Sequence, residues 1–364
     1  MNSNKQNLVF VLPCLDIGGV QSVVYRLIKF FSSLGCYNLS VITFTKNGFY
    51  REKFIDLGVN IYSFELRFFK GDLKALLGFP YLFYKLINFK GVTKVLGSPG
   101  FTALSLCFIK FFLYWKKNLK CGVFIDNKLS KLINAKWHHG VYSFLFFKMS
   151  HFLDFINFTY EGAKDDYIEN VMKSCNKLSV IYNPVDVSTY DEQIIKRYDF
   201  AFVGRLSYEK GPDIFISAIN SAMEKKKNLR VVIAGDGPLR DKIIENIKYK
   251  DNVAFVGYVD HVQNYILQSK FLVLTSRIEG CSGVIKEALS LGIPCIVPLV
   301  ESGGPIEMIN FGRYGLAYNT FDDLVNCLVN YNLADFDFNE IKKYANKFKI
   351  EEVGNCYNKL LIEL

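Results

Sequence analysis

The sequence predicts an α/β protein made of two parallel-sheet domains in succession, and three observations carry that reading. Short apolar runs alternate with helix-forming segments along most of the 364 residues, which is the pattern of a parallel sheet with crossover helices. The alternation stops at a polar stretch, VIYNPVDVSTYDEQ, and then starts afresh. A chain of this length, half of it hydrophobic, is too long for one ordinary core and long enough for two. The boundaries that follow are residues 1–184 for a first domain and 185–344 for a second, with a closing helix at about 345–364.

The elements follow in order. Leu8 to Leu12 reads as a buried first strand, because Pro13 and Asp16 end the apolar run too early for a signal peptide. A glycine turn, Asp16 to Gly19, leads to a helix from Val20 to Phe31 with apolar positions at Val23, Val24, Leu27 and Ile28. Leu39 to Phe44 and Val59 to Phe64 are further strands, with a helix near Tyr50 to Leu57 between them. Residues 65–120 are broken by seven Gly and Pro residues and read as short helices joined by loops. Lys120 to Phe124, Ala135 to His139 and Phe155 to Thr159 return to strand.

In the second series Tyr198 to Val203, Arg230 to Ala234, Val253 to Val256, Phe271 to Thr275 and Pro294 to Val297 are strands. Between them lie helices, the first from Pro212 with proline in its opening position. The segment Ile341 to Leu364 reads as one closing helix.

Charge divides the chain unevenly. Residues 1–185 hold 23 Lys or Arg against 11 Asp or Glu, and residues 186–364 hold 21 against 24, so the net +9 is +12 in the first half and −3 in the second. Between Phe64 and Phe124 the lysines are interleaved with aromatics, as in FPYLFYKLINFK and FIKFFLYWKKNLK. Such a mixture suits the headgroup boundary of an anionic membrane, and it equally suits core helices with solvated edges. Phe101 to Trp115 is interrupted by Lys110 and falls short of the roughly 18 to 20 apolar residues that span a bilayer. No nucleic-acid motif accompanies the charge, so no nucleic-acid partner is expected. Nine cysteines without paired ligand spacing read as reduced cytosolic thiols and give no metal site.

The chemistry concentrates in FLVLTSRIEGCSGVIKEALSLGIPCIVP, residues 271–298. Glu279 and Glu287 stand at the two ends of a strand-to-helix turn loosened by Gly280 and Gly283. The helix start offers free N–H groups to an anion such as a diphosphate, and ionised carboxylates accept hydrogen bonds from sugar and ribose hydroxyls. An ordinary turn with solvated acids explains the same residues. The loop GRLSYEKGP after Val203 adds Arg205 and Lys210, two cations at the carboxyl end of a strand, where open α/β sheets bind ligands. They suit the charge that grows on a departing nucleoside diphosphate, and solvated loop charges are the plain alternative.

The set GRLSYEKG, VVIAGDGPLRDKI, NVAFVGYV, TSRIEGCSGVIKEALSLGIPCIVP and SGGPIEMI, over about residues 198–310, closely resembles the nucleotide-binding half of the retaining glycosyltransferases of family four. That resemblance implies the GT-B fold, two Rossmann-like domains facing an interdomain cleft, with the closing helix at about 345–364 crossing back to the first. It implies that Glu279 lies near the donor sugar, that Glu287 takes the ribose hydroxyls, and that Arg205 and Lys210 of the Gly204 loop bind the diphosphate. Backbone and side chains of Gly280, Cys281, Ser282, Gly283 and Val284 would line the donor, with Tyr258 and Val259 near its base. Cys281-Ser282 departs from the Phe-Gly pair of many members. LDIGGVQSVV resembles the family's glycine loop, so Gly18 and Gly19 would face the donor phosphates. In KWHHG, His139 falls where members place a histidine beside the reacting sugar. Glu307 either touches the donor or caps a helix.

The expectation is therefore a retaining, metal-independent, hexosyltransferase-like enzyme with no cofactor beyond its nucleoside-diphosphate-sugar donor. Its catalytic set would be Glu279, His139, Arg205 and Lys210, and its acceptor a hydroxyl of a glycan or lipid-linked oligosaccharide of bacterial surface polysaccharide such as O-antigen or capsule. It would work in the cytoplasm, peripherally on the inner face of the cell membrane. A nucleotide-sugar epimerase of the same architecture, a glycan phosphorylase, and a non-catalytic nucleotide-sugar-binding partner are the competing readings.

Overall fold

The structure, a computed structural model, describes residues 5–65, 77–132, 137–171, 177–186 and 194–364. The chain packs as two compact units, Met1–Pro184 with Ile350–Leu364, and Val185–Lys349.

The first unit holds a seven-stranded sheet. In chain order its strands are β1 (Gln6–Leu12), β2 (Tyr37–Thr43), β3 (Asn60–Ser63), β4 (Thr93–Gly97), β5 (Leu119–Ile125), β6 (Phe155–Phe158) and β7 (Leu178–Val180). They lie side by side as β3-β2-β1-β4-β5-β6-β7, all parallel. Leu8 to Leu12 are buried on both faces, as a central strand covered by helices requires. The helix Gly19–Leu34 turns Val23, Val24, Leu27, Ile28 and Phe31 inward and stops at Gly35, whose φ of 64° no β-carbon favours.

Helix Ile350–Ile362 completes this unit's core. It buries Val353, Tyr357, Leu360 and Leu361 among the same residues that Phe10 and Phe31 occupy. Two hydrogen bonds fix it, Asn157 Nδ2 to the Tyr357 hydroxyl at 2.9 Å and the Tyr37 hydroxyl to Asn358 Oδ1 at 2.9 Å.

Three expectations are corrected here. Residues 65–120 contain β4, a buried strand paired with β1; its single short run, TKVLG, sits between glycines and was hidden by them. Trp137, His138 and His139 open the helix Trp137–Met149 and are not a strand; the aromatic run after Gly140 packs at helical spacing. The closing segment is not one helix but two, Phe338–Ala345 and Ile350–Ile362, with a 3₁₀ turn at Asn346–Phe348 between them.

The second unit holds β8 (Tyr198–Val203), β9 (Val231–Ala234), β10 (Val253–Gly257), β11 (Ser269–Val273), β12 (Cys295–Pro298) and β13 (Gly315–Tyr318). Their order is β10-β9-β8-β11-β12-β13, again all parallel. The order reverses at β8, between β9 and β11, as it reverses at β1 in the first unit. Loops leaving the carboxyl ends of β8 and β11 therefore depart side by side to opposite faces, which opens the crevice where such sheets bind ligands.

Candidate functional site

Two loops of the second unit meet at that switch point. The loop after β8 carries Gly204 to Gly211, and the loop after β11 carries Leu274 to Ser282 before the helix Gly283–Ser290. Lys210 Nζ lies 2.7 Å from Glu279 Oε2, with the carboxylate side chain only 10% exposed and the lysine 35%. Ser276 Oγ donates to the same oxygen at 3.0 Å, and Ser302 Oγ donates to the Glu279 carbonyl. The carboxylate is thus held in one orientation with lone pairs still available to a donor hydroxyl.

The lysine's place depends on a glycine. Gly211 has φ 62°, and a Cβ there would stand 2.1 Å from the Thr275 carbonyl oxygen. Thr275 Oγ1 donates back to the Gly211 carbonyl at 2.8 Å. The two loops are therefore in backbone contact at the residue after Lys210.

Arg277 fastens them a second time. Its guanidinium grips Asp213 through Nη1–Oδ1 at 2.9 Å and Nη2–Oδ2 at 2.6 Å, donates to the Tyr208 carbonyl at 2.8 Å, and lies 4.2 Å from the Tyr208 ring centroid. Bidentate geometry of this kind is the strong form of an ion pair. Hydrogen bonding from Arg277 holds the Asp213 carboxyl below its ordinary range. A third loop joins by close approach, since a Cβ on Gly304 would stand 2.1 Å from the Gly280 carbonyl oxygen.

The structure brings Gly204, Lys210, Glu279, Gly280, Cys281, Ser282 and Gly283 onto these adjoining loops. Arg205 is exposed, its nearest acid Glu209 at 3.7 Å. Ser282 is buried at the helix N-cap without a side-chain capping bond, so the first N–H groups of Gly283–Ser290 have no cap from that side chain. Val284 and Glu287 are half-buried on the first turns of that helix. Cys281 Sγ accepts from Lys286 Nζ at 3.3 Å, and Lys286 is itself buried. Tyr258 follows β10 and is 73% exposed, with Val259 half-buried beside it. The Glu307 carbonyl accepts from the Tyr344 hydroxyl at 3.2 Å.

Gly18, Gly19 and His139 belong to the first unit. Gly18 is the N-cap of helix Gly19–Leu34 with extended φ of −172°, a conformation open to any residue. What occupies the space beside it is the buried Gln21 side chain, whose amide donates to Cys14 Sγ at 3.2 Å. His139 lies in the first turn of Trp137–Met149.

Sequence reasoning missed Ser276, Arg277, Asp213 and Ser302. Asp213 had a visible signal as the acid just after the helix-opening Pro212; the serines had none, because a hydroxyl's role depends on which loop folds against it. No group of three or more His, Cys, Asp or Glu side chains among the described residues is placed to hold a metal.

A doubly wound pair of sheets with acid, lysine and helix start at a switch point defines the GT-B class of fold. Comparison with known proteins makes that specific. The chain is similar over 98% of its length and all of the other to HepE of Anabaena, solved in complex with UDP, at TM-score 0.78 and 15% identity, a likeness that establishes the fold. Residues 197–331, within the second unit, match the family "Glycosyl transferases group 1". Among relatives, an undecaprenol-linked glycan α-1,4-N-acetyl-D-galactosaminyltransferase of Campylobacter jejuni is 28% identical over 216 residues, 56% of this chain and 59% of that one. The chain spans about half the length of the first curated relatives it matches. It aligns end to end with the O-antigen biosynthesis glycosyltransferase WbnH of Escherichia coli, over 98% of this chain and 99% of that one at 23% identity.

Proposed function

We propose that this protein is a retaining glycosyltransferase that moves a sugar from a nucleoside-diphosphate sugar to a hydroxyl of a glycan or lipid-linked oligosaccharide, in the assembly of a bacterial surface polysaccharide. The observation that carries the reading is the Lys210–Glu279 pair at the switch point of a sheet whose residues 197–331 match the family. Lys210 and Arg205 receive the diphosphate together with the N–H groups at Gly283. Glu279 accepts a hydroxyl of the donor sugar, Glu287 the ribose hydroxyls, and Tyr258 offers a ring face to the base.

In the reaction, the bond between the anomeric carbon and the β-phosphate oxygen breaks, and its electron pair leaves with the diphosphate. The acceptor oxygen bonds to that carbon from the same face and its proton passes to the departing phosphate. The cations counter the charge that grows there, so the chemistry runs without a metal. Gly18, Gly19 and His139 are assigned to the donor phosphates and the reacting sugar. Relatives whose names specify undecaprenol-linked and O-antigen glycans support the acceptor class and a place at the inner membrane face.

A panel of nucleotide sugars tested by thermal shift, followed by turnover on undecaprenyl-diphosphate-linked acceptors with and without EDTA, tests this. Retention is read from the anomeric coupling of the product. If Glu279→Gln and Lys210→Ala both leave turnover intact, the proposed site is wrong.

A further inference from the structure

The first unit carries a group of exposed aromatics that, among the described residues, touch chiefly one another and Phe152. The turn between helix Phe101–Phe112 and β5 presents Tyr114 and Trp115, 75% and 61% exposed, with Phe111 and Phe112 just before them at 45% and 49%. Tyr84 and Ile87, at 61% and 39%, stand on the last turns of helix Phe79–Asn88. Lys116 ties the two together. Its ammonium donates to the carbonyls of Leu86 and Phe89 at 3.1 Å each, and to that of Ile87. The lysine next to Trp115 therefore satisfies the free carboxyl end of the neighbouring helix, and the two aromatic tips are fixed outward by a rigid turn.

The charge around them is mainly positive, the nearby Asp154 carboxylate being paired with Lys110 and Lys120. Residues 73–125 hold eight lysines and no Asp or Glu. Lys90 and Lys117 are exposed beside the aromatics. An exposed Trp-Tyr pair flanked by the exposed lysines Lys90 and Lys117 is a composition that partitions to the headgroup layer of an anionic bilayer, the rings at the apolar boundary and the ammonium groups at phosphate level. A protein partner would need matching acids as well as an apolar pocket; a bilayer of anionic lipid supplies both over any area.

We propose that this edge, Tyr84, Ile87, Phe111, Phe112, Tyr114 and Trp115 with Lys90 and Lys117, is where the protein docks on an anionic membrane surface. The proposal rests on the function proposed above and gives its membrane partner a place. The turn precedes β5 and so lies at the amino ends of the strands. The glycine loop after β1 lies at the carboxyl ends, about 20 Å away for strands of this length. Substitutions in the docking edge therefore leave the loop chemistry untouched.

The test is flotation of the full chain with vesicles of phosphatidylcholine alone and with phosphatidylglycerol added. Binding is expected only with the anionic lipid, with Trp115 fluorescence quenched by brominated acyl chains and the quenching lost in Trp115→Phe. Tyr114→Ser with Trp115→Ser should cut flotation at least tenfold, and Lys90→Glu with Lys117→Glu should abolish the preference for anionic lipid. UDP thermal shift reports whether each variant is folded and keeps its donor site. Equal flotation with neutral vesicles, or undiminished flotation of the folded Tyr114/Trp115 variant, overturns the docking edge. Absence of a thermal shift with every nucleotide sugar of the panel in the unsubstituted protein would instead count against the proposed function.

Discussion

The two units repeat one strand order around one kind of switch point, yet they hold their loops differently. In the second unit the loops after β8 and β11 are tied by charge, Lys210 to Glu279 and Arg277 to Asp213. In the first unit, at the loop after β1, the corresponding tie is the Gln21 amide reaching Cys14, and stability is lent from outside the sheet's own segment by helix Ile350–Ile362. The sheets set where a site can form; which chemistry forms there is decided by a few loop side chains. One unit is electrostatically latched and self-contained, the other has no such ion pair among the described residues of its first loop and is completed by a distant part of the chain.

The largest break in that comparison is to remove the completing helix. Ending the chain at Lys349 uncovers the core that Val353, Tyr357, Leu360 and Leu361 close. At about 1.5 to 3 kcal/mol for each large apolar side chain, the loss is on the order of 6 kcal/mol or more, enough to unfold a typical domain. Hydrogen exchange should show the first unit's strands deprotected while β8 to β13 keep their protection. Equal loss in both units would mean that the second is not self-contained.

Next in size is the latch. Lys210→Ala leaves the Glu279 carboxylate, nine-tenths covered, without its counter-charge. Removing one partner of such a pair costs on the order of 1–3 kcal/mol, and kcat should fall roughly 10²- to 10³-fold if the lysine also steadies the leaving diphosphate. The double substitution Lys210→Met with Glu279→Met should recover the stability but not the turnover. Recovery of both would reduce the pair to a structural tie.

How much of this the sequence disclosed follows the same division. In the second unit each βα loop is short and its chemistry local, so Tyr198 to Val203 was placed to the residue and Lys210, Glu279 and Gly283 were singled out before any fold was known. Local pattern could not show that Glu279 would meet Lys210 at hydrogen-bond distance, since that depends on β8 and β11 being neighbours across 69 residues. In the first unit TKVLG was too short and too hemmed by glycine to read as the central strand β4. Ala135 to His139 read as a strand, whereas Trp137 to His139 open a helix whose aromatic run follows only from Val141; Ala135 and Lys136 lie outside the described residues. The 3₁₀ break at Asn346–Phe348 had no signal at all, because Asn and Lys are ordinary in a helix and what bends the chain is Phe348 burying itself.

A smaller effect sharpens the contact between loops. Gly211→Ala forces a left-handed conformation on an L residue, roughly 1–2 kcal/mol, and sets its Cβ 2.1 Å from the Thr275 carbonyl. Backbone cannot yield as a side chain does, so Lys210 shifts with it. Affinity for UDP should fall while the thermal transition of the first unit stays where it was. An unchanged affinity would show that the lysine reaches the phosphates independently of that contact.

The smallest expected effect is a slope against pH contributed by one lysine of the second unit. Burial, aided by the neighbouring Lys342 charge, pushes the Lys196 ammonium down to about 8, although it donates to the carbonyls of Leu267 and Ser269 at 2.9 Å each. In the unfolded chain this lysine titrates near 10.4. Between those values the unfolded state binds more protons than the folded one, so stability rises as pH is raised from about 8 to 10 and is lowest where both states are charged. Partial exposure screens the effect to about 1–2 kcal/mol across the window. Comparing slopes removes contributions of other lysines: urea unfolding of Lys196→Met should lack the upward slope that the unsubstituted protein shows between pH 8 and 10. Parallel slopes would mean that its two carbonyl acceptors keep the ammonium charged, and that this unit, like its latch, favours charge over burial.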